Sequence, residues 1–494
     1  MERKASLHNL GCKVNAYETE AMQQLLEEAG YVIVPFGEKA DVCIINTCSV
    51  TNVADKKSRQ MLHRARAKNP EAVVVAAGCY SQASYKELEQ DQAVDIIIGN
   101  NQKKDLVSRL EAYFQENREN KGGSQGGSQG SYPNTYVIDI GKTGEYESLH
   151  IEKAGEHTRA FIKIQDGCNQ FCSYCIIPYT RGRVRSRGAE EVLKEVGALA
   201  AAGCKEIVLT GIHLSSYGKD LGEGESHPLL ALIQKLHRIP GLCRIRLGSL
   251  EPRIITREFA ASLAALPKVC PHFHLSLQSG CEATLKRMNR HYTPEQYLEG
   301  CQILREAYQN PAITTDVIVG FPGETEEEFS VTWDFLQKAA FYEMHIFKYS
   351  RRAFTKAASM ADQIPEEVKS RRSDILLELE KQMSLRYRRS FLGKENQVLL
   401  EEEEIIGGER YLTGFSREYV RMAVNVGRLL QRGSCGEVVA GNRKEVVAGN
   451  CKEIRTGSLK AGDWRKIEAG EWRGEIFNGQ GGRMLTPEVV EVDW

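Results

Sequence analysis

The sequence predicts an α/β protein of three parts: a parallel α/β sheet, a partial (β/α)6 barrel of the TIM type, and a small β-barrel. Short apolar runs alternate with helical patterns over residues 1–115 and again from about residue 158, which is typical of parallel sheets with crossover helices. Between them a repeated Gly-Gly-Ser-Gln cannot bury a core. After Gly393 the apolar pattern changes to short β-rich runs.

These patterns divide the chain into five segments. We place the sheet domain at 1–115, a flexible linker at 116–150, the barrel at 154–385, the small β-domain at 386–455, and a tail without an assigned role at 456–494. In the first domain the predicted helix runs from Tyr17 to Ala29, and the predicted strands are Tyr31–Val34, Val42–Ile45, Val73–Ala76 and Val94–Ile98.

Six apolar runs predict the barrel strands, and each is followed by a helical pattern or a loop. They are Ala160–Ile164, Glu206–Thr210, Arg244–Leu247, His272–Leu277, Ile313–Val319 and Met344–Tyr349. In such barrels the functional groups lie at the C-terminal ends of the strands. The late β-rich runs are Gln397–Leu400, Tyr411–Thr413, Tyr419–Val424 and Glu437–Ala440, and Glu437-Val-Val-Ala-Gly-Asn recurs from Glu445.

Composition describes an ordinary soluble globular protein. The chain has 494 residues, 41% hydrophobic and 27% charged, with a net charge of −1. No apolar run has transmembrane length and the N-terminus lacks a signal-peptide pattern, so we expect a cytoplasmic protein without a membrane partner. Fourteen cysteines under reducing conditions favour metal or catalytic use for some of them over a disulfide framework.

The most informative motif is C-x3-C-x2-C, formed by Cys168, Cys172 and Cys175 directly after the first barrel strand. Three thiolates on one short loop suit a [4Fe–4S] cluster and leave one iron without a protein ligand, as in metal sites that do chemistry. The alternatives are a zinc knuckle and a disulfide. Zinc usually takes a second Cys or His pair, and the nearest histidine, His157, stands eleven residues upstream.

A second cysteine set is predicted from position in the fold. Cys12, Cys48 and Cys79 each follow an apolar run, so parallel pairing would bring them to one edge of the sheet, where they would again leave one iron open. The alternative is that they are ordinary buried residues. We interpret the other cysteines as non-ligands: Cys43, Cys204, Cys243, Cys270, Cys281, Cys301, Cys435 and Cys451.

With two cysteine triads and a C-terminal β-domain, the chain resembles the methylthiotransferases of the radical S-adenosylmethionine (SAM) superfamily over roughly residues 1–455. The last domain resembles a TRAM domain, an RNA-binding β-barrel. The segment Asn9-Leu-Gly-Cys-Lys-Val-Asn-Ala-Tyr-Glu-Thr-Glu20 is similar to the subgroup that acts on N6-threonylcarbamoyladenosine in tRNA. The isopentenyladenosine subgroup typically has Tyr-Gly-Cys-Gln-Met-Asn there, and the ribosomal-protein subgroup Leu-Gly-Cys-Pro-Lys-Asn.

The resemblance implies methylthiolation of C2 of threonylcarbamoyladenosine at position 37 of tRNA. It implies SAM and two [4Fe–4S] clusters, an auxiliary one on Cys12, Cys48 and Cys79 and a SAM-binding one on the C-x3-C-x2-C loop. The partners implied are tRNA and an electron donor such as flavodoxin or ferredoxin. The rival hypotheses are the same chemistry on isopentenyladenosine or on a ribosomal protein, and a non-catalytic iron–sulfur RNA-binding protein.

Further site residues follow from the resemblance. Those expected near SAM are Tyr174, His213, Ser276, Gln278, Asp316 and Gly320. The turn Phe321-Pro-Gly-Glu324 is equally explained as a type II turn that needs no ligand. The chain departs from the family where members often have Tyr-Ser-Pro-Arg-x-Gly-Thr after the sixth strand, because here Tyr349-Ser-Arg-Arg-Ala-Phe-Thr355 lacks the Pro and the Gly.

RNA contact is predicted for four arginines that stand at every second position after the cysteine loop. Alternation on an extended segment would put Arg181, Arg183, Arg185 and Arg187 on one side, where they could meet phosphates. The net charge of the chain gives no such signal, so the prediction rests on this local pattern alone.

Overall fold

The computed structural model describes residues 2–122, 134–152, 158–222, 226–428, 473–474 and 476–493. The N-terminal part is a six-stranded, all-parallel sheet in the order β2-β1-β3-β4-β5-β6. Its strands are β1 Lys4–Asn9, β2 Val32–Ile33, β3 Val42–Thr47, β4 Val73–Gly78, β5 Ile96–Ile98 and β6 Asn134–Tyr136. Its helices are α1 Lys13–Glu28, α2 Asn52–Lys68, α3 Cys79–Ala83, α4 Tyr85–Leu88 and α5 Leu106–Gly122.

The linker predicted over 116–150 was wrong at both ends. Helix α5 continues past residue 115, and Asn134–Tyr136 pairs with β5 as the sixth strand. Ile140 and Leu149 are buried, because the apolar residues that follow the Gly-rich stretch have surface to bury against the neighbouring domain. The remaining part of that prediction, residues 123–133, lies outside the described residues.

The six predicted barrel strands are all present and parallel. They are β7 Arg159–Asp166, β9 Glu206–Gly211, β10 Arg244–Leu247, β11 His272–His274, β12 Ala312–Val319 and β13 Glu343–Lys348. Bridges Ile245–Val269 and Leu250–Leu275 join the two sheets between β10 and β11. A short β8, Arg185–Ser186, pairs antiparallel with β7. The fold-class prediction is confirmed.

The barrel helices lie between these strands and cover an apolar core that runs through the whole barrel. They are α6 Ile177–Thr180, α7 Ala189–Ala201, α8 Pro228–His237, α9 Arg257–Ala264, α10 Glu282–Arg287, α11 Pro294–Ala307, α12 Glu326–Ala339 and α13 Glu366–Arg389. Helices α11 and α12 begin with capping boxes, in which Thr293 or Thr325 and the Gln or Glu three residues later satisfy each other's backbone N–H groups. Among the described residues, no helix has the length and apolar content of a membrane span.

The C-terminal part is a closed barrel in the order β14-β15-β16-β18-β17. Its strands are β14 Glu395–Ile406, β15 Glu409–Phe415, β16 Arg421–Asn425, β17 Ile476–Thr486 and β18 Val489–Asp493. The predicted tail was therefore wrong for residues 476–493, which supply two strands, because Phe477, Val490 and Val492 complete the apolar core of the barrel. The predicted strand at 437–440 and the Glu-Val-Val-Ala-Gly-Asn repeat lie outside the described residues.

This small barrel covers the N-terminal end of the larger one. The Tyr419 ring lies under the guanidinium groups of Arg159 and Arg246, 4.9 and 4.6 Å from the ring centroid. Arg246 also donates to the backbone oxygen of Arg417 at 2.9 Å and to the buried carboxylate of Glu206 at 3.0 Å. The opposite end, where the strands terminate at their carboxyl ends, is the one that faces the cysteine triads.

Candidate functional site

Cys12, Cys48 and Cys79 come together at the carboxyl edge of the N-terminal sheet. Strands β1, β3 and β4 are in register at their ends, with Asn9 opposite Asn46 and Thr47 opposite Gly78. Cys48 and Cys79 immediately follow β3 and β4, and Cys12 stands at the start of α1. The three thiols lie within electrostatic reach of one another, as the prediction from parallel pairing requires.

Gly11 shows how closely the first two ligand loops approach. Its φ is +106°, and a Cβ at this position would lie 2.9 Å from both Cβ and Sγ of Cys48. A larger residue would displace the thiol, so the glycine before Cys12 is required by packing as well as by backbone conformation. The Asn15 side-chain amide donates to the backbone oxygens of Leu10 and Thr47 at 2.7 and 3.0 Å, which fixes the two loops to each other.

Cys168, Cys172 and Cys175 lie on the loop between β7 and α6, and neighbouring barrel loops hold this loop in place. Gly167 has a φ of +70°, and a Cβ there would lie 1.8 Å from the backbone oxygen of Arg183. Ser173 donates from its backbone N–H to Met288 at 2.9 Å. The three sulfurs therefore belong to a loop with a fixed backbone at the carboxyl end of β7.

Arg290 is a site residue that sequence reasoning missed. Its Nη1 donates to Sγ of Cys172 at 3.3 Å and its Nη2 to the backbone oxygen of Ser276 at 3.2 Å. Hydrogen bonds to the cysteine sulfurs are one of the ways in which a protein tunes an iron–sulfur cluster. No spacing signal points to Arg290, because it follows α10, more than a hundred residues after the cysteine it contacts.

The chemistry of the donor sets fits iron–sulfur clusters. Burial raises the pKa of Cys48 to about 12 and that of Cys168 to about 11, and it also raises the pKa values of Cys12 and Cys175. Such thiols are neutral on their own, and a bound metal group supplies the positive charge that makes them thiolates. Both triads offer only soft sulfur ligands, which suit iron–sulfur clusters and zinc.

The spacing of the sulfurs separates these two possibilities. Among the described residues, one group of three possible metal ligands has all its ligand atoms within 4.8 Å of one another, and it consists of His274, Asp316 and His345. In each cysteine triad, therefore, at least two sulfurs lie more than 4.8 Å apart. Bonds of about 2.3 Å to one tetrahedral zinc would hold the sulfurs about 3.8 Å apart. The wider spacing fits a multi-iron cluster better than a single ion.

A buried ion network lies behind the first triad. The Glu18 carboxylate accepts from Lys163 at 2.7 Å, from Arg181 at 2.9 Å and from Lys103 at 3.1 Å, and all four side chains have no exposed surface. Burial alone would raise the pKa of Glu18, but these three cations outweigh it and hold the pKa well below its usual value. The network joins α1 of the N-terminal domain to β7 and α6 of the barrel.

The network carries an excess of positive charge beside the cysteines. Its cations are Lys103, Lys163, Arg181 and Arg185, and its carboxylates are Glu18 and Asp166, with Glu147 at its edge. Arg181 lies within electrostatic reach of Cys12, Cys48 and Cys79. A cluster with three thiolate ligands is anionic, so this excess fits a bound cluster at the first triad.

The prediction of RNA contact was wrong for three of the four arginines. Arg181, Arg185 and Arg187 are each at most 3% exposed, and they pair with carboxylates inside the protein. The segment is not extended throughout, because Gly182 has a φ of +72° and β8 contains only Arg185 and Ser186. Arg183 is exposed and stacks on the Phe171 ring, with its guanidinium 4.5 Å from the ring centroid.

The residues predicted near SAM lie on the loops and strands that surround the second triad. Burial lowers the pKa of His213 to about 4, and its Nε2 is buried without a hydrogen-bond partner among the described residues, so a neutral ring nitrogen is available there as donor or acceptor according to the tautomer. Tyr174 packs against the Phe321 ring. Gln278, at φ +73°, donates its backbone N–H to the Asp316 backbone oxygen at 2.8 Å.

Two of the predicted SAM residues have structural contacts that explain them without a ligand. The Gly320 N–H donates to the Glu324 carboxylate at 2.7 Å, and Arg372 of α13 donates to the same oxygen at 2.7 Å. The Ser276 backbone oxygen accepts from Arg290 and from Tyr292. Contact of these two residues with SAM stays a prediction.

The inside of the barrel, here called the chamber, is polar. His274 lies 3.2 Å from the Asp316 carboxylate and its ring stacks on that of His345. Lys13, directly after Cys12, reaches toward this wall: its ammonium is within electrostatic reach of Asp316 and Glu206. Burial, and after it the nearby cations Arg246 and Arg159, lower the pKa of Lys13 to about 8. A cation at Lys13 disfavours a metal ion on the nearby histidines.

The loop after β13 contacts both triads. Arg352 donates to Ser49 Oγ, next to Cys48, at 2.7 Å and to the Asp55 carboxylate at 2.6 Å. The Ala357 N–H donates to the backbone oxygen of Ser173, between Cys172 and Cys175, at 2.7 Å. This loop, residues 349–357, is the segment where the sequence departs from the family pattern, and it links the two cysteine loops.

A partial (β/α)6 barrel with three cysteines on the loop after its first strand defines a radical SAM protein. The model of the Radical SAM superfamily matches residues 162–336, and that of the uncharacterized protein family UPF0004 matches residues 4–99. A solved structure of the radical SAM methyltransferase TsrM from Kitasatospora setae has the same fold, with a TM-score of 0.51 and 17% identity over 72% of this chain and 74% of that one.

Curated relatives narrow the class. Threonylcarbamoyladenosine tRNA methylthiotransferase MtaB of Bacillus subtilis (strain 168) is 41% identical over 84% of this chain and 89% of its own length. The MtaB of Aquifex aeolicus (strain VF5) is 39% identical over 83% of this chain and 95% of its own length. A tRNA-2-methylthio-N(6)-dimethylallyladenosine synthase of Caldicellulosiruptor saccharolyticus is 38% identical over 79% of this chain and 80% of its own length. The chain belongs to the radical SAM tRNA methylthiotransferases, which use an iron–sulfur cluster and SAM.

Two open triads predict the metal content. Anaerobically reconstituted protein is expected to hold about eight iron atoms per chain, because each triad would carry one four-iron cluster. Replacing Cys168, Cys172 and Cys175 together by alanine should halve the iron measured by a colorimetric assay and leave the auxiliary cluster's absorbance. Zinc in place of iron, or no loss of iron in the triple variant, would contradict the assignment.

Proposed function

We propose that this enzyme methylthiolates C2 of N6-threonylcarbamoyladenosine at position 37 of tRNA. Cys168, Cys172 and Cys175 would hold the SAM-binding cluster, and Cys12, Cys48 and Cys79 the auxiliary cluster. When bound, the clusters and SAM supply the radical chemistry and the sulfur that no side chain of the protein can provide. The protein's own residues enclose the reacting groups between two domains and position them.

The observation that supports the substrate is the Lys13 ammonium. Threonylcarbamoyladenosine carries a carboxylate on its N6 substituent, whereas isopentenyladenosine carries an uncharged hydrocarbon. Lys13 adjoins Cys12, projects into the chamber, and has no hydrogen bond or ion pair in the part of the chain that the structure describes. An ammonium group that forms no ion pair and adjoins a cluster ligand fits an anionic substituent and gains nothing from an apolar one.

The arginines within electrostatic reach of Lys13, Arg246 and Arg159, are already paired. Glu206 pairs with Arg244 and Arg246, and Arg159 pairs with Glu401. Arg244 and Arg246 also donate to backbone oxygens of the C-terminal barrel, and Arg159 to its Tyr419 hydroxyl, so all three are committed to structure. Lys13 is therefore the cation of the chamber that we assign to the substrate carboxylate.

Replacing Lys13 by glutamine is expected to lower kcat/KM for tRNA with threonylcarbamoyladenosine at least tenfold, mainly through KM. Removing one partner of an enclosed ion pair typically costs 2 kcal/mol or more. Iron content and formation of 5′-deoxyadenosine should stay unchanged, because no cluster ligand is altered. The matched control is Lys39→Gln, an exposed lysine of the same domain.

Mass spectrometry of tRNA nucleosides from cells with and without the gene tests the substrate itself. Loss of the methylthio derivative of threonylcarbamoyladenosine, restored by complementation, is the expected result. Loss of the methylthio derivative of isopentenyladenosine alone would support methylthiolation as the reaction but contradict threonylcarbamoyladenosine as the substrate. No change in any methylthio nucleoside would favour a ribosomal protein as substrate.

A further inference from the structure

Phe354 has an unusual backbone conformation for its residue type. Its φ is +68°, in the left-handed region that bulky residues rarely adopt, and its side chain is 73% exposed. A phenylalanine held in this conformation normally gains packing in return. Here the ring points to solvent, so folding alone does not explain why a phenylalanine stands at this position.

The sequence strengthens this point. In the related pattern Tyr-Ser-Pro-Arg-x-Gly-Thr, the position of Phe354 is a glycine, the residue that adopts a positive φ without steric cost. This chain keeps the glycine-type conformation and presents an aromatic ring from it. The conformation is fixed from both sides: the Thr355 hydroxyl and backbone N–H both donate to the Arg352 backbone oxygen, and both residues are buried.

The position of the loop relates Phe354 to the chemistry. Two residues before it, Arg352 binds Ser49 beside Cys48, and three residues after it, Ala357 binds Ser173 between Cys172 and Cys175. Phe354 is therefore presented from the middle of a loop that spans the two cysteine triads. Val50 and Val53, on the segment that Arg352 holds, are also exposed apolar residues, at 50% and 75%.

We propose that Phe354 stacks on a nucleobase of the tRNA anticodon loop and holds the loop across the mouth of the site. RNA loops present unstacked bases that proteins bind on exposed aromatic rings. The loop lies beside both triads, so a base bound between them would be close to it. The inference rests on the proposed function, because it takes tRNA as the substrate, and it adds a residue that positions the RNA without touching either cluster.

The test uses a substitution that should stabilise the protein by relieving backbone strain and weaken RNA binding by removing the aromatic ring. Phe354→Gly removes the strain, so the thermal midpoint of the full-length reconstituted protein should stay the same or rise by a few degrees. The dissociation constant for an anticodon stem-loop, measured by fluorescence anisotropy, should rise about tenfold because one stacked base is lost. Formation of 5′-deoxyadenosine without RNA should not change.

Three further variants separate the effect of the aromatic ring from that of apolar character and from that of strain relief. Phe354→Leu keeps an apolar side chain without a ring and should lose the same affinity, whereas Phe354→Trp should keep or improve it. Ala340→Gly is the matched control: Ala340 is exposed at φ +51° at the end of α12, so relief of its strain should stabilise the protein without changing RNA affinity.

An unchanged dissociation constant for Phe354→Gly and Phe354→Leu, with wild-type protein that binds and methylthiolates tRNA, overturns this inference alone. Wild-type protein that binds none of the stem-loops, whether unmodified, isopentenylated or threonylcarbamoylated, overturns the proposed function together with it. A slower reduction by the electron donor at unchanged RNA affinity would assign the ring to a protein partner and would also overturn the proposal.

Discussion

Replacing Cys172 by alanine is expected to abolish reductive cleavage of SAM, whereas replacing Cys48 should leave cleavage and stop methylthio insertion. The two thiols stand on different domains, Cys48 after β3 of the N-terminal sheet and Cys172 on the loop after β7. Loss of Cys172 also removes the sulfur to which Arg290 donates. We therefore expect 5′-deoxyadenosine at background level for Cys172→Ala and clearly above it for Cys48→Ala, with no methylthio nucleoside from either.

The control for this experiment is Cys43→Ala. Cys43 lies in β3, the strand that leads to Cys48, but its thiol is 1% exposed and contacts Ser6 and Asn69 in the core of the sheet. Both products should form at near wild-type rates in this variant. If Cys48→Ala forms the full amount of methylthio product, Cys48 is not a ligand of the auxiliary cluster. If Cys172→Ala still cleaves SAM, Cys172 is not a ligand of the SAM-binding cluster.

Replacing Glu18 by glutamine is expected to destabilise the junction of the first two domains by about 3–5 kcal/mol. The substitution leaves Lys103, Lys163 and Arg181 buried beside a neutral amide, and breaking a buried ion pair by removing one partner has a cost of this order. The measurement is the urea midpoint of the apoprotein against wild type. Glu28→Gln, an exposed glutamate at the end of the same helix, is the matched control and should change little.

The network also makes the stability of the folded protein depend on pH. The folded protein holds the pKa of Glu18 well below its unfolded value, so the carboxylate contributes its stability at neutral pH and loses it as pH falls below about 4.3, the usual pKa of glutamate. The wild-type midpoint should fall more steeply with acid than that of Glu18→Gln. Equal midpoints for the two proteins at pH 7 would show that the network contributes no net stability.

The elements that repeat a local pattern were predictable. Each of the six barrel runs became a strand, since its apolar residues need no partner beyond the neighbouring strands and helices. The two cysteine triads were also predictable, one from spacing within a loop and the other because the carboxyl ends of parallel strands share an edge. Residues 476–493 were missed, because Gly479, Gly481 and Gly482 interrupt the strand pattern and the partner of this strand, β14, lies far earlier in the chain.

The sequence by itself determined the class of chemistry, since one cysteine triad lies on a single short loop and the other follows strand patterns whose carboxyl ends share a sheet edge. Tertiary structure alone decided the roles of charged and exposed residues. Arg181 is buried because Glu18, 163 positions earlier, lies against it, and no local alternation contains that contact. In the same way Phe354 is informative only once its φ, its exposure and its place between Ser49 and Ser173 are known. Long-range pairing fixes these features, and a one-dimensional pattern carries only the preferences of neighbouring residues.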